Sequence, residues 1–290
     1  MLVCSLISRP GGLSPTAAEA LRNAWGGGAL RWLSAHEAAE FDLPAAPDTL
    51  WQVWAEMQAM GIDLAVQPGQ GRRKRMLLAD MDSTMIEQEC IDELADEAGV
   101  GDYVRDITAR AMDGALDFEA ALTERVALLR GLPLSVIDHV LARRITYMPG
   151  GATLIATMKA HGAHCALVSG GFTAFTGPVA AHLGFDEHRA NTLIADGATL
   201  AGTVAAPILG RQAKIDALAE ITARLSLSEA DVIAVGDGAN DLGMLHRAGM
   251  GVALHAKPSV QAECNLRINH GDLTALLFLQ GYEKVQFPVM

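Results

Sequence analysis

Three short apolar runs punctuate the chain, and each stops at a small or acidic polar residue. Met76-Leu77-Leu78-Ala79 leads into Asp80, Cys165-Ala166-Leu167-Val168 into Ser169, and Val232-Ile233-Ala234-Val235 into Gly236-Asp237. Continuous apolarity over four residues, without the alternation of a half-solvated strand, predicts parallel strands covered on both faces. Helical spacing lies between them. Lys214, Leu218, Ile221 and Leu225 recur at three- and four-residue intervals, as do Ile86, Cys90, Leu94 and Ala98, and Phe118, Leu122, Val126 and Leu129. Residues 85–148, between the first and second runs, read as four helices inserted into a strand–helix alternation. The expected fold class is therefore α/β, a Rossmann-like parallel sheet with a helical cap over about 85–148. Ligands of such sheets sit at the carboxyl ends of the strands, where all three runs place their polar residues.

Residues 1–70 carry a different rhythm. Segments 2–8 and 62–66 pattern as strands, 29–44 as two short strands, and 15–25 and 49–60 as helices. That β-α-β-β-α-β order predicts a small ferredoxin-like α+β domain ahead of a main domain over 71–290. It weakly resembles the amino-acid-sensing domains attached to some enzymes of amino acid metabolism. No ligand motif is visible in it, and regulation, dimerisation into a homodimer and simple stabilisation all stay open as its role.

The candidate chemistry begins with Asp80-Met81-Asp82-Ser83-Thr84. A carboxylate at a strand end followed two residues later by a second offers a nucleophile with its own proton-transfer partner. A calcium loop also opens Asp-x-Asp-x-Thr, but it needs Gly at its sixth position and Glu at its twelfth, and Met85 and Ile91 stand there. Ser169-Gly170-Gly171 can offer a hydroxyl and closely approaching backbone N–H groups to an anion, with Pro178 expected to leave the next helix late or kinked. Lys214 falls in the first turn of its helix, against the macrodipole, unless an anion lies near; a lysine snorkelling to the surface is the plainer alternative. Gly236-Asp237-Gly238-Ala239-Asn240-Asp241 is no dinucleotide fingerprint, because Asp241 occupies the place of the third glycine. Asp80, Asp82 and Asp237 converging on one sheet edge suit Mg²⁺, a hard cation that takes few carboxylates and keeps water and phosphate oxygens.

An acidic strand end, a serine strand end, one lysine and a second acidic strand end, in this order, resemble the four motifs of the haloacid dehalogenase superfamily of phosphohydrolases. The strings DMDSTMIEQECIDELADEAG, FEAALTERVALLRGLP, VSGGF and VGDGAND resemble its phosphoserine phosphatase branch more closely, over roughly residues 72–280. The resemblance implies Mg²⁺-dependent hydrolysis of O-phospho-L-serine, the last step of serine biosynthesis. Asp80 would become an aspartyl-phosphate; Asp82 would protonate the leaving hydroxyl and later deprotonate water. Ser169, Gly170, Lys214 and Asn240 would hold the phosphoryl oxygens. The metal would take Asp80, the backbone carbonyl of Asp82, and Asp237, with Asp241 shaping the surroundings. In the cap, Arg125 would grip the substrate carboxylate, Glu89 the ammonium, and Met112 and Phe118 would close the apolar side. Two alternatives remain: transfer of the phosphoryl group to an alcohol such as homoserine, and a signalling receiver module, which the Asp-x-Asp spacing and the cap insert oppose.

Composition narrows the partners. A 290-residue chain of 50% hydrophobic residues can bury a large core and divide into about two domains. The net charge of −12 argues against nucleic acid and against anionic membranes, leaving a small phosphorylated amino acid as the expected partner. Arg72-Arg73-Lys74-Arg75 reads as a solvated linker end. Cys4, Cys90, Cys165 and Cys264 form no Cys-x-x-Cys pair and read as reduced core residues of a cytoplasmic protein. His161 and His164 lack a Cys or carboxylate cluster for zinc. The first twelve residues show no cationic region, so no secretory signal is expected. An Asp196-Gly197 turn between apolar and β-branched residues predicts a hairpin, as a lid element or a sheet extension.

Overall fold

The computed structural model describes residues 1–112 and 117–288. Its first part is β1 (Leu2–Ser8), α1 (Pro15–Ala24), β2 (Arg31–Ser34), β3 (Ala38–Leu43), α2 (Leu50–Ala59) and β4 (Ile62–Pro68), in the order the sequence predicts. The strands form an antiparallel sheet ordered β2-β3-β1-β4. Alternation sends Cys4, Leu6, Phe41 and Leu64 to the face covered by α1 and α2, with Leu13, Ala18 and Leu21 completing that core. Ile7, Ala38 and Ala65 point the other way and join the main core of the chain.

The main sheet is parallel. β5 (Met76–Ala79), β6 (His164–Phe172), β7 (Glu187–Asn191), β10 (Val232–Gly236), β11 (Met250–Leu254) and β12 (Leu266–Ile268) lie in the order β12-β11-β10-β5-β6-β7. Leu77 pairs with Cys165 on one side and Ile233 on the other, so β5, β6 and β10 deliver their carboxyl ends side by side. All four residues of β5 are fully buried, as expected of a strand covered on both faces. The order reverses at β5, where successive crossovers go to opposite sides, and this opens the crevice.

Between β5 and β6 stand four cap helices, α3 (Cys90–Glu97), α4 (Gly101–Met112), α5 (Phe118–Ala127) and α6 (Ser135–Arg143), then α7 (Gly151–Ala160). The expected stripe beginning at Ile86 starts too early. Ile86 is buried in a bridge to Tyr147, and α3 begins at Cys90, with Asp92 and Glu93 in its first turn. Beyond β6, α8 (Thr173–Leu183) starts at once and carries Pro178 in its interior, so the helix is not late. β8 (Leu193–Asp196) and β9 (Thr199–Val204) form the hairpin as a separate sheet rather than an extension of the main one. It is stitched to the cap: Leu200 accepts from Gly131 N and donates to Leu132 O, and Leu134 N donates to Ala198 O.

α9 (Arg211–Arg224), α10 (Leu242–Arg247), α11 (Pro258–Glu263) and α12 (Ala275–Leu279) complete the chain, and among the described residues no helix is long and apolar enough to cross a membrane. The N-terminal sheet is fastened to the main domain by polar contacts. Asp63, 1% exposed, accepts from the backbone N–H groups of Asn269, His270 and Gly271, and Gln67 donates to Leu279 O. The basic run is only partly solvated: Arg73 and Arg75 are exposed, but the run is also tied down. Arg72 forks onto Glu40 at 2.6 and 3.1 Å, Arg73 lies over the Tyr282 ring, and Lys74 Nζ donates to Ala230 O.

Candidate active site

Asp80 leaves β5 with its backbone N–H donating to Val235 O on the neighbouring strand. The chain then tightens: Thr84, Met85 and Ile86 all turn their N–H groups to Met81 O, and Ser83 takes φ +54°, a left-handed conformation rare outside glycine. This strained turn sets the two aspartates apart in direction. The Asp82 carboxylate accepts from Cys90 N, at the start of α3, and from Ser169 Oγ at 3.1 Å. Burial, and then the charge of Glu89, push Asp82 up to about 6. Ser169 Oγ in turn accepts from Gly171 N, so β6, β5 and the cap meet at one carboxyl group.

Lys214 is not a surface lysine. Its side chain is 1% exposed, and Nζ lies 2.7 Å from Asp80 Oδ1 and 2.5 Å from Asp241 Oδ1. Burial alone would lower the ammonium's pKa; Asp241 and Asp80 outweigh it and raise it, so the charge is kept. Asp80 Oδ1 is at ion-pair distance from Lys214 but outside hydrogen-bond alignment, leaving a buried oxygen with no hydrogen bond. Burial, then Asp241, hold Asp80 well above the carboxylate range despite Lys214. Burial and Asp241 likewise push Asp237 up to about 7.

Asp80, Asp237 and Asp241 bring carboxylate oxygens within 4.8 Å of one another. Three carboxylates facing one ammonium, with an orphaned oxygen on Asp80, fit a hard divalent cation. Asp241 belongs to this cluster, closer than the sequence suggests, while the Asp82 side chain is turned away toward Cys90 and Ser169.

A cleft of about 710 Å³ opens over these groups. It brings together Asp80, Asp82, Ser169, Gly170, Asp237 and Asn240 from the main domain with Glu89, Phe118 and Arg125 from the cap side. Arg125 is half-buried; burial lowers its guanidinium, while Asp92, Glu89 and Asp82 act in the opposite sense. Glu89 is exposed and accepts from Ser83 Oγ. Phe118 packs where glycines make room: a Cβ on Gly170 would sit 3.0 Å from Cζ of its ring. Met112 ends α4, and its side chain lies outside the described residues.

Several cleft residues escape the sequence reading. Asp92, Thr108, Arg211 and Lys257 line the same cleft. Asn191 donates to Gly170 O and Leu209 O and accepts from Leu209 N, tying the Ser-Gly-Gly turn to the loop that leads to Lys214. Of the two histidines, His161 packs on Tyr282, and His164 pairs with Glu187 at 2.6 Å.

A family model described as haloacid dehalogenase-like hydrolase matches residues 77–246. The chain is 44% identical over 229 residues to a phosphoserine phosphatase of Streptomyces coelicolor, covering 78% of this chain and 55% of that one. A phosphoserine phosphatase of Archaeoglobus fulgidus is 40% identical over 223 residues, covering 76% and 64%. The chain thus spans between about half and two-thirds of the length of these relatives. Among solved structures, a HAD-family hydrolase of Salmonella enterica serovar Typhi matches with a TM-score of 0.88 at 32% identity, over 98% of this chain and 99% of that one. A substrate-bound phosphoserine phosphatase complex matches with a TM-score of 0.66 at 38% identity, over 71% and 97%. The family match takes in both acidic motifs, the serine turn and the lysine, and the chain belongs to the haloacid dehalogenase-like hydrolases.

Proposed function

We propose that the chain is a Mg²⁺-dependent phosphatase that hydrolyses O-phospho-L-serine to L-serine and phosphate, with residues 71–290 as its catalytic domain and 1–70 as an attached regulatory or dimerising module. The observation that carries the reading is the pairing of Asp80, buried with an unbonded oxygen beside Lys214, with Asp82 held two residues away against Ser169. The named relatives and the substrate-bound neighbour support the substrate class. Four free, buried cysteines support a reducing, cytoplasmic setting.

In this reading Asp80 attacks phosphorus and the phosphorus–oxygen bond to serine breaks, while Asp82 gives its proton to the departing hydroxyl. Asp82 then takes a proton from water, whose oxygen attacks phosphorus and releases Asp80 with inorganic phosphate. Splitting the hydrolysis into two displacements at one centre is the gain of covalent catalysis. Ser169, the Gly170 and Gly171 backbone, Asn240 and Lys214 position the phosphoryl oxygens and neutralise their charge, which is most of what this chemistry asks of a protein. Bound Mg²⁺ would supply a further positive charge at those oxygens, held by Asp80, Asp237 and the Asp82 carbonyl, with Asp241 alongside. In the cap, Arg125 takes the substrate carboxylate bidentately and Glu89 its ammonium, with Phe118 and Met112 on the apolar side.

Phosphate release from O-phospho-L-serine, with and without Mg²⁺, is compared with Asp80→Asn. Metal-dependent release abolished by the substitution is the expected result; release that survives it overturns the nucleophile. Arg125→Ala is expected to raise KM for phosphoserine by roughly tenfold to a hundredfold, the scale of a lost charge-assisted pair, and to leave an aryl phosphate nearly unaffected. Equal losses on both substrates would remove Arg125 from carboxylate recognition.

A further inference from the structure

The Ser169-Gly170-Gly171 turn interrupts a sheet ladder. Val168 of β6 pairs with Arg189 of β7 and Phe172 pairs with Asn191, so the three residues of the turn stand opposite Ala190 alone. A bulge of this kind re-aims side chains and takes backbone groups out of the ladder. Asn191, 1% exposed at the end of the edge strand, supplies a replacement partner: its Nδ2 donates to Gly170 O at 2.9 Å. The same amide clamps a second segment, with Nδ2 donating to Leu209 O at 3.0 Å and Oδ1 accepting from Leu209 N at 2.7 Å. Both amide hydrogens are used inside the protein, so Asn191 has no donor left for a substrate and acts through what it holds.

The segments it holds meet the cap helix α5 at both ends. At the start of α5 the Phe118 ring rests on them: a Cβ on Gly170 would lie 3.0 Å from its Cζ, and one on Gly210, next to Leu209, 2.9 Å from its Cδ1. Past the far end, Gly202 of the β8–β9 hairpin comes so close that a Cβ would be 2.8 Å from Arg130 Cβ, and Leu200 and Ala198 hydrogen-bond to the backbone of Gly131, Leu132 and Leu134. Hairpin and loop are one stretch of chain, 192–210, closed at its root by Asn191 on Leu209 and by Ala205 N donating to Thr192 O. Arg125 follows Phe118 by seven residues on α5, its Nε donating to Ala121 O of the same helix. The phosphate side has separate supports, since Ser169 is held by Asp82 and Gly171 N, and Lys214 by Asp80 and Asp241. Loss of the Asn191 amide would leave Gly170 O and both ends of the Leu209 peptide without partners in the interior, and the stretch must shift to satisfy them.

We propose that Asn191 is a positioning residue for substrate specificity: by locking 192–210 to the Ser-Gly-Gly turn it fixes how far Arg125 stands from the groups that hold the phosphoryl oxygens, and so selects a substrate whose carboxylate lies that far from its phosphate. The inference rests on the phosphoserine reading and adds a residue, outside the substrate contact, that sets its reach. Two-point recognition of this kind is sensitive to displacements of an ångström.

Steady-state rates are measured with O-phospho-L-serine, with O-phospho-L-homoserine, which is one methylene longer, and with an aryl phosphate that has no carboxylate for Arg125. Asn191→Ala is expected to lower kcat/KM for phosphoserine by about tenfold to a hundredfold, the scale of a misplaced contact, to change the aryl phosphate little, and to narrow the parent's preference for phosphoserine over its longer homologue. Asn191→Asp is isosteric but turns a carboxylate toward two carbonyl oxygens, so it is expected not to rescue the loss, as a merely space-filling role would require. Gly210→Ala leaves the Asn191 amide in place and displaces Phe118 directly; it is expected to shift the same ratio of phosphoserine to aryl phosphate, and it answers the question where the Asn191 variants do not fold. Combined with Arg125→Ala, Asn191→Ala is expected to add little to the loss on phosphoserine, because the two act through one contact. A parent without preference for phosphoserine over the aryl phosphate overturns the substrate reading and this inference together. A parent with that preference, whose Asn191→Ala and Gly210→Ala variants lose both substrates equally or neither, or whose double variant shows additive losses, overturns the role of Asn191 alone.

Discussion

Gly171 stands where the Ser-Gly-Gly turn is most crowded. A Cβ there would lie 2.7 Å from Asp82 Oδ2 and 3.1 Å from Ser169 Oγ, so alanine must displace the carboxylate that those contacts aim. Gly171→Ala is expected to lower kcat roughly a hundredfold, the scale of an ångström-sized misplacement of a catalytic group, while shifting the melting temperature little. Steady-state kinetics beside thermal unfolding checks it, and an unchanged kcat would mean that the position of Asp82 is not critical. Asp80, Ser169 and Asp237 are legible in the sequence because each closes an apolar run, Asp82 because it follows Asp80 at a spacing of two, and Lys214 because it shares an apolar stripe. Asn191 is not. It ends an edge strand with nothing local to mark it, and its three hydrogen bonds arise only when the 207–210 loop folds against Gly170.

Elements carry a second kind of information, which is where they begin and what they lean on. The spacing that joins Ile86 to Cys90 and Leu94 is real, but Ile86 is buried by a strand-like bridge, and the acidic pair Asp92 and Glu93 marks the helix start better than the apolar stripe does. The attachment of β4 to the loop after β12 is invisible locally, since Asp63 lies more than 200 residues from its partners in the sequence. Three backbone N–H groups converge on that one buried carboxylate. Removing it leaves them without an acceptor, at a cost of about 1–3 kcal/mol for each that water cannot reach. Asp63→Ala is therefore expected to destabilise the chain by about 3 kcal/mol in urea unfolding, and Asp63→Asn, which keeps one acceptor oxygen, by less. A loss of under about 1 kcal/mol would show that water replaces the carboxylate and that the junction is held by apolar packing instead.

At the scale of the whole molecule, the two separate sheets follow from the change of rhythm near residue 70, but their closeness does not. A signal was present in β1, where Val3, Cys4, Leu6 and Ile7 place buried apolar residues on both faces of an otherwise small sheet. Such a strand needs a cover on each side, and α12 with the rest of the main core supplies the second. Across that junction Glu40, its side chain 1% exposed, is gripped by Arg72 and Arg31. Burial acts to raise Glu40, and the two guanidinium groups outweigh it, so its pKa falls below the ordinary 4.5. The unfolded chain then binds the proton first on acidification. The pair's contribution is complete above about pH 4.5 and is lost as the pH falls through the lowered folded-state value. Glu40→Gln, which preserves shape, removes the charge and leaves Arg72 largely buried without its partner. A destabilisation of about 3 kcal/mol at neutral pH is expected, the lower end of what breaking a buried pair costs. Because Glu40 itself becomes neutral in acid, the unfolding free energies of the parent and Glu40→Gln should converge as urea titrations are carried below pH 4.5. A gap that stays constant with pH would assign the loss to packing and hydrogen bonding around residue 40, and would leave the junction indifferent to the charge on Glu40.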